Sequence, residues 1–565
     1  MSTARRLLPF LTWFPLRRAT LKADLIAGLT VSLLVIPQSL AYAQLAGVPA
    51  YYGLYAALIP AVVGAMFGSS GVLSTGPVAM TSLLTAASIS QLAPHGSEQY
   101  LSHVILLALV SGVFQVAFGV MRMGVLLNFL SYPVLMGFIN AAAIIIGLSQ
   151  LPAILGIPAA QTQHFLVDIW RVIVNMDSMH EISLLFGLTA VILLVALRKY
   201  SPRLPGVLIT VALLTAASYL LGYEQMGGRI VGAIPQGLPS FSIPPLDWNS
   251  TIALVPAGFV IALISFMEAM SSCKVIAIKT RTPWDENQEL IGQGLAKIAA
   301  AFSQSIPVSG SFSRSALNLA AHARSGLSSV FAAACVLLTL LFFTPLLHHL
   351  PKPVLAAVIV VALVNLVDYK SIAKAWRATR DDGIAAVVTF VVTLAFAPNI
   401  QVGVLTGILL SLALLLYRLM RPRVAVLGLH DDGTLRDAKR LNLPELHPEL
   451  GAMRFDGSLI FVNVSYFEDA ILQLQRENPR LKLILVAAGG INTIDASGIE
   501  VLSNLAERLK ANGVTLTFSG IKQQVLVVME NTGLTRKIGA GNIYPTDIMG
   551  LDALLERLRA PGPRG

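Results

Sequence analysis

The sequence predicts an α-helical polytopic membrane protein of two inverted seven-segment repeats, fourteen membrane segments in all, followed by a small cytoplasmic α/β domain. Three observations carry this. The 565 residues are 55% hydrophobic and only 12% charged, where a soluble domain carries about 25% charged residues. Apolar runs of bilayer-spanning length recur from Leu25 to about Tyr417, and two of them are broken at matching places. Beyond Arg423 charges become frequent and apolar runs short. The expected division is a cytoplasmic N-terminus (1–24), a membrane domain (25–423), and a linker with a cytoplasmic domain (424–565).

Candidate segments lie near 25–45, 51–67, 102–121, 124–150, 182–197, 206–222, 252–276, 328–347, 353–367, 382–397 and 400–417. Two further regions, from Ile59 to about Ala87 and from Ile291 to about Ala321, each read as a full helix, a Gly/Ser/Pro break and a shorter helix. Basic residues test the count, because Lys and Arg concentrate in cytoplasmic loops. With the N-terminus inside, the loops after even-numbered segments hold Arg122, Arg198, Lys199, Arg203, Lys274, Lys279, Arg281, Arg324, Lys370, Lys374, Arg377 and Arg380. The odd-numbered loops are poorer, with Arg171, Arg229 and Lys352 as exceptions. Both termini are therefore expected in the cytoplasm of a multi-pass cell-membrane protein.

Past the membrane domain, Phe461–Val464, Leu481–Ala487 and Val514–Ser519 read as strands. Asp495–Leu509, Lys522–Met529 and Ile548–Leu558 read as helices, with Asp495 or Ser497 placed to cap the first. Alternating strands and helices imply a small α/β domain.

Composition also excludes functions. The net charge of +10 is spread beside membrane segments, where insertion rules and anionic lipid select for it. No basic stretch interleaved with aromatics points to nucleic acid. Cys273 and Cys335 lie in apolar runs, too far apart for a metal motif, and read as small buried hydrophobes. Arg5 and Arg6 precede a short apolar stretch broken by Arg17, Arg18 and Lys22, with no small-residue cleavage site, so no removable signal peptide is expected. No cofactor is implied. An enzyme would need a nucleophile–base or metal cluster; the His348-His349 pair sits at a segment end.

The broken segments carry the functional signal. The first break reads Ser74-Thr75-Gly76-Pro77-Val78-Ala79, the second Pro307-Val308-Ser309-Gly310-Ser311-Phe312-Ser313-Arg314. Aligning Gly76 with Gly310 gives an offset of 310 − 76 = 234 residues. That offset places each break third in a seven-segment half. An odd number per half forces opposite membrane orientations, the inverted-repeat architecture of many secondary transporters. A helix that starts inside the membrane exposes unpaired N–H groups and about half a positive charge. Two such starts aimed at one point bind an anion without many charged side chains. Thr75, Ser311 and Ser313 can add hydroxyls, Gly76 and Gly310 close backbone approach, and Pro77 a pre-organised first turn. The competing reading is a pair of packing kinks.

Charges inside apolar runs are costly and usually functional. Arg314 follows Ser313 in the first turn of the second half-helix, where a cation opposes the dipole and a bound anion compensates it. Glu268, within Phe259–Ala277, is a candidate proton-coupling carboxylate, or else the ion-pair partner of Arg314 or Lys274. Gln38 and Tyr42, one turn apart, can reach inward with polar tips; Tyr42 also reads as an interfacial aromatic.

Together these blocks resemble the sulfate permease (SulP) family of anion transporters over nearly the whole chain. The resemblance rests on Asp24–Val31, Ile36–Ala43, Pro49–Tyr55, Ser74–Ala79, Asn287–Ile291 and Pro307–Ser315. Ile491–Ile499 is similar to the STAS domain attached to such transporters. The resemblance implies substrate held between the third and tenth segments, with Gln38 and the Ser313 region lining the site. It also implies homodimers and an elevator-like motion of a core against a gate. It implies sulfate with a coupling proton, with Glu268 where proton-coupled members carry a carboxylate. Sodium-coupled bicarbonate or dicarboxylate carriers, and passive exchangers or channels on the same scaffold, are the alternatives. Ser497 matches a serine that can be phosphorylated in the wider STAS superfamily, or only caps its helix. The STAS domain is open to assembly, regulation or a cytoplasmic protein partner.

Overall fold

The computed structural model describes residues 8–124, 131–157, 165–201, 204–244, 246–364, 367–397 and 399–559. Arg5, Arg6 and Arg203 lie outside them, as do parts of the segments expected at 124–150 and 353–367. The chain divides into two compact units, Met1–Ser411 and Leu412–Gly565.

In the first unit, helix α1 (Arg18–Leu45) leads to α2 (Tyr51–Phe67), the short strand β1 (Ser74–Gly76) and the half-helix α3 (Ala79–Ile89). Helices α4 (Glu98–Val120), α5 (Tyr132–Leu155), α6 (Phe165–Val174), α7 (Glu181–Tyr200) and α8 (Gly206–Leu221) complete one half. The second half repeats the order: α9 (Trp248–Thr280), α10 (Glu286–Phe302), strand β2 (Ser309–Ser311) and half-helix α11 (Phe312–Ala320). It continues through α12 (Leu327–Leu347), α13 (Lys352–Leu363), α14 (Tyr369–Ala378), α15 (Arg380–Ala395) and α16 (Gln401–Met420). Among the described residues seven helices are long and apolar enough to cross a membrane, and four more are shorter and apolar. With α10, α11 and α15 these make fourteen segments, seven per repeat, and the breaks fall third in each.

The remaining two helices, α6 and α14, were not expected. Each is ten residues long and buries only two of them, Phe165 and Val172 in α6, Ser371 and Ala375 in α14. They occupy matching places in the two repeats. Arg171, Lys370, Lys374 and Arg377, taken from sequence as loop residues, lie on these helices.

Helices α1–α4 pack with α9–α12, while α5, α7, α8, α13 and α15 form a second group. The first group is tight where α4 crosses α10. A Cβ on Gly112 would lie 2.9 Å from the Gly294 carbonyl oxygen, and one on Gly294 would lie 2.7 Å from the Val116 nitrogen. Only glycine permits that approach.

The second unit holds a six-stranded sheet in the order β4-β3-β5-β6-β7-β8. Its strands are β3 (Arg423–Leu429), β4 (Leu435–Asp437), β5 (Leu450–Asp456), β6 (Leu483–Ala487), β7 (Thr515–Ser519) and β8 (Ile543–Tyr544). Strands β5 to β8 run parallel, and β3 is antiparallel to both its neighbours. The helices expected near 495–509, 522–529 and 548–558 are Ala496–Ala511, Gln523–Asn531 and Asp547–Arg559. One expected strand is corrected. Phe461–Val464 is a turn entering the helix Val464–Glu477. Asn463 makes the turn: its Oδ1 accepts from the Ile460 N–H, and its Nδ2 donates to the Ser458 carbonyl. The strand in this region is β5, which buries Leu450, Ala452, Met453 and Phe455.

Candidate anion site

The two breaks meet. Strands β1 and β2 pair antiparallel, with Ser74 opposite Ser311, Thr75 opposite Gly310 and Gly76 opposite Ser309. Antiparallel pairing sends α3 and α11 away from opposite ends of a three-residue ladder. Their N-termini, with the partial positive charge of each dipole, are therefore turned toward one another across the ladder. Val78 and Ser311 are extended residues at the N-caps. No side chain caps α3, whereas the Ser311 hydroxyl accepts weakly from the Arg314 N–H at 3.4 Å. The ladder is braced from outside, as the Ser74 N–H donates to Ser315 Oγ (2.9 Å) and Ser309 Oγ donates to the Ser265 carbonyl (2.8 Å).

Arg314 ties the second half-helix to the first break. It is 1% exposed. Its Nη1 donates to the Pro77 carbonyl at 2.8 Å, and Nε lies 3.4 Å from Ser74 Oγ. Its Nη2 finds no hydrogen-bond partner among the described residues and lies where a Cβ on Gly76 would approach to 3.1 Å. A buried guanidinium donor without a partner costs about 1–3 kcal/mol or more. Arg314 thus lies buried in the first turn of α11, at the helix start where the sequence placed it.

Helices α1 and α9 wall this point, each packing on both half-helices. From α1, Gln38 and Tyr42 are each 6% exposed, and Gln38 Oε1 has no hydrogen-bond partner among the described residues. Burial removes the interfacial reading of Tyr42. From α9, Glu268 is close enough to act electrostatically on Tyr42, Arg314 and Lys297. Its Oε2 is buried without a hydrogen-bond partner among the described residues. Lys274 is exposed on the same helix and makes no ion pair with it, so that alternative is not realised among the described residues.

The other predicted residues divide. Phe312 and Ser313 are exposed in the first turn of α11, while Val78 and Ala79 are buried at the start of α3. Gly310 packs against Ala269 and Leu73. Thr75 is turned to the far side: its hydroxyl accepts from Gln293 Nε2 at 2.8 Å and its side chain packs on Gly64. Gln293 also donates to Glu289 Oε1, whose other oxygen accepts from the Ser69 and Ser70 N–H groups. Sequence reasoning missed this support, and with it Lys297, Gln115 and Ser265. The available signal was Lys297 itself, a charge inside an apolar run.

In the second unit Ser497 does not cap the helix Ala496–Ala511. Asp495 does, accepting from the Gly498 N–H at 2.9 Å and from the Phe461 N–H at 2.8 Å. Ser497 is half-buried in the first turn.

Two family models match the chain: the sulfate permease family over residues 21–389 and the STAS domain over residues 444–548. The chain belongs to the sulfate permease family. A probable sulfate transporter of Arabidopsis thaliana (4.2) is 33% identical over 538 residues, covering 92% of this chain and 79% of that protein. A probable sulfate transporter of Mycobacterium tuberculosis is 30% identical and covers 94% of both chains. Among solved structures, murine Solute Carrier 26 family member A9 in its inward-facing state superposes with a TM-score of 0.88 at 23% identity, over 98% of this chain and 94% of that one. The transmembrane domain of the cyanobacterial bicarbonate transporter BicA gives 0.59 at 22% identity, over 70% and 98%. These superpositions show the fold. Membership of the sulfate permease family, with a matching STAS domain, makes the chain a multi-pass membrane transporter of anions rather than an enzyme.

Proposed function

We propose that this permease is a secondary active transporter of sulfate, carried together with a proton and bound between the facing starts of α3 and α11. The observation that carries the reading is Arg314 Nη2, a fully buried, unpartnered cationic donor beside Gly76. An oxyanion there accepts from this donor and from the backbone N–H groups of Val78, Ala79, Phe312 and Ser313. Pro77 and Gly310 set the backbone path, Gln38 and Tyr42 close the site from α1, and the hydroxyls of Ser311 and Ser313 adjoin it. Thr75 steadies the ladder from behind. Glu268, unpaired and within reach of Arg314's field, takes the coupling proton. The names of the Arabidopsis and mycobacterial relatives support sulfate as substrate.

Both termini are assigned to the cytoplasm, residues 25–423 to transport and 424–565 to a linker with the STAS domain. The protein works as a homodimer in the cell membrane, its two helix groups moving past one another. The test is uptake by proteoliposomes of radiolabelled sulfate, bicarbonate and a dicarboxylate, each with an imposed proton or sodium gradient. Sulfate accumulation driven by an inward proton gradient is expected. Accumulation driven only by sodium, or mere equilibration under either gradient, would replace this reading with a sodium-coupled carrier or a passive exchanger.

A further inference from the structure

Among the described residues, Lys297 is the one fully buried cation of the transport unit that the site described above leaves unused. It sits about three turns into α10 and is 0% exposed. Its Nζ donates to Gln115 Oε1 of α4 and to Ser265 Oγ of α9, the latter at 2.8 Å. Both acceptors are neutral. No carboxylate pairs with it among the described residues. A lysine enclosed this way loses several kcal/mol of hydration that neutral acceptors do not return. Structural lysines rarely occupy such places, and a methionine would fill the volume at no such cost.

The lysine is also joined to the anion site by a short chain of contacts. Its acceptor Ser265 offers a carbonyl to Ser309 Oγ, at the start of β2. Ser265 and Glu268 lie three residues apart on one face of α9. Glu268 in turn feels both Lys297 and Arg314. The other charged groups nearby are accounted for elsewhere. Glu289, on α10 itself, is about 12 Å from Lys297 along the helix and is held by Ser69, Ser70 and Gln293. Tyr42 is neutral in the ordinary pH range.

We infer that Lys297 is a positioning charge that selects for a divalent oxyanion and sets the requirement for a proton. The inference rests on the function proposed above and deepens it. With Arg314 and a protonated Lys297 each at +1 and ionised Glu268 at −1, the site carries +1. A monovalent anion neutralises it with no proton. A divalent anion leaves −1, which one proton on Glu268 cancels. The lysine thereby makes the site one charge too positive for bicarbonate or chloride when Glu268 is protonated, and suited to sulfate in that same state. Lys297 touches no substrate and acts through its field. One charge at about 10 Å in an effective dielectric of about 20 changes relative affinity for di- and monovalent anions roughly ten-fold.

The test uses the full chain in proteoliposomes, with sulfate and bicarbonate as competing probes and proton flux recorded alongside. Wild-type protein should carry one proton per sulfate. Lys297→Gln, which keeps a hydrogen-bonding side chain, should lower the sulfate-to-bicarbonate preference roughly ten-fold, and Lys297→Arg should restore it. Thermal unfolding and monodispersity of each variant separate loss of preference from loss of fold. A well-folded Lys297→Gln protein with unchanged preference and unchanged proton count overturns the inference. So does a wild-type protein that moves sulfate without protons at a preference that Lys297→Gln leaves intact. If wild type moves no sulfate at all, the proposed function fails first. Should Lys297→Gln not fold, Gln115→Leu and Ser265→Ala strip the ammonium of one acceptor each: a lowered sulfate-to-bicarbonate preference in either supports the inference, and an unchanged preference and proton count in both overturns it.

Discussion

The two broken helices are backbone relatives with unequal loads. Each offers a three-residue strand and a half-helix in the same place of its repeat. The first carries no charged side chain and is shut. Almost all of α3 is buried, its N-cap is Val78, and its strand side chain Thr75 is bound from behind by Gln293. The second carries a cation, three serines and an exposed first turn at Phe312 and Ser313. The two repeats supply opposed dipoles, and the charged side chain lies on one of them. The first break presents backbone N–H groups and a surface for Arg314 to rest on, and the second presents the charge.

That contrast can be broken from its strongest point downward. Arg314→Gln removes the charge and the bond to Pro77 together. Losing a buried, hydrogen-bonded cation costs about 2–5 kcal/mol, so sulfate uptake should fall by about 100-fold or more, while an equivalent change in the first break has no charge to remove. Glu268→Gln should abolish accumulation under a proton gradient yet spare counterflow exchange. Its rate should also lose the rise that wild type shows as external pH falls, because a glutamine has no proton to gain. Gly76→Ala introduces a methyl 3.1 Å from Arg314 Nη2. A contact this tight shifts the guanidinium by a few tenths of an ångström, so the KM for sulfate should rise several-fold with little change in thermal stability. Thr75→Val removes only the acceptor for Gln293. About 1 kcal/mol of stability should go, seen as a lowered Tm, with KM unchanged. A Thr75→Val protein whose KM rises more than that of Gly76→Ala would reverse the division of labour drawn above.

Much of this architecture is legible in the amino-acid sequence because membrane folding leaves coarse marks. Long apolar runs become helices, and Gly, Ser and Pro clusters interrupt them, so the breaks and their 234-residue offset stand out. Arg314 and Glu268 stand out as charges in apolar surroundings. What sequence hid was of two kinds. Helices α6 and α14 are short and amphipathic, and Lys370, Lys374 and Arg377 read as loop charges because periodicity over ten residues is a weak signal. The support of the site was hidden by distance in the chain: Thr75 meets Gln293 across 218 residues, and Lys297 meets Gln115 across 182. Nothing local to Thr75 tells which way its hydroxyl turns. In the second unit Phe461–Val464 has strand-like side chains, but Asn463 wins with two local hydrogen bonds that fold it into a turn.

The most direct measurement is the location of a heavy sulfate analogue. Selenate bound to the purified protein, mapped by its anomalous scattering in crystals, should give one peak between the starts of α3 and α11, within hydrogen-bonding reach of Arg314 Nη2. The peak should vanish in Arg314→Gln. A selenate site elsewhere in the transport unit, or one that survives the loss of Arg314, contradicts the account.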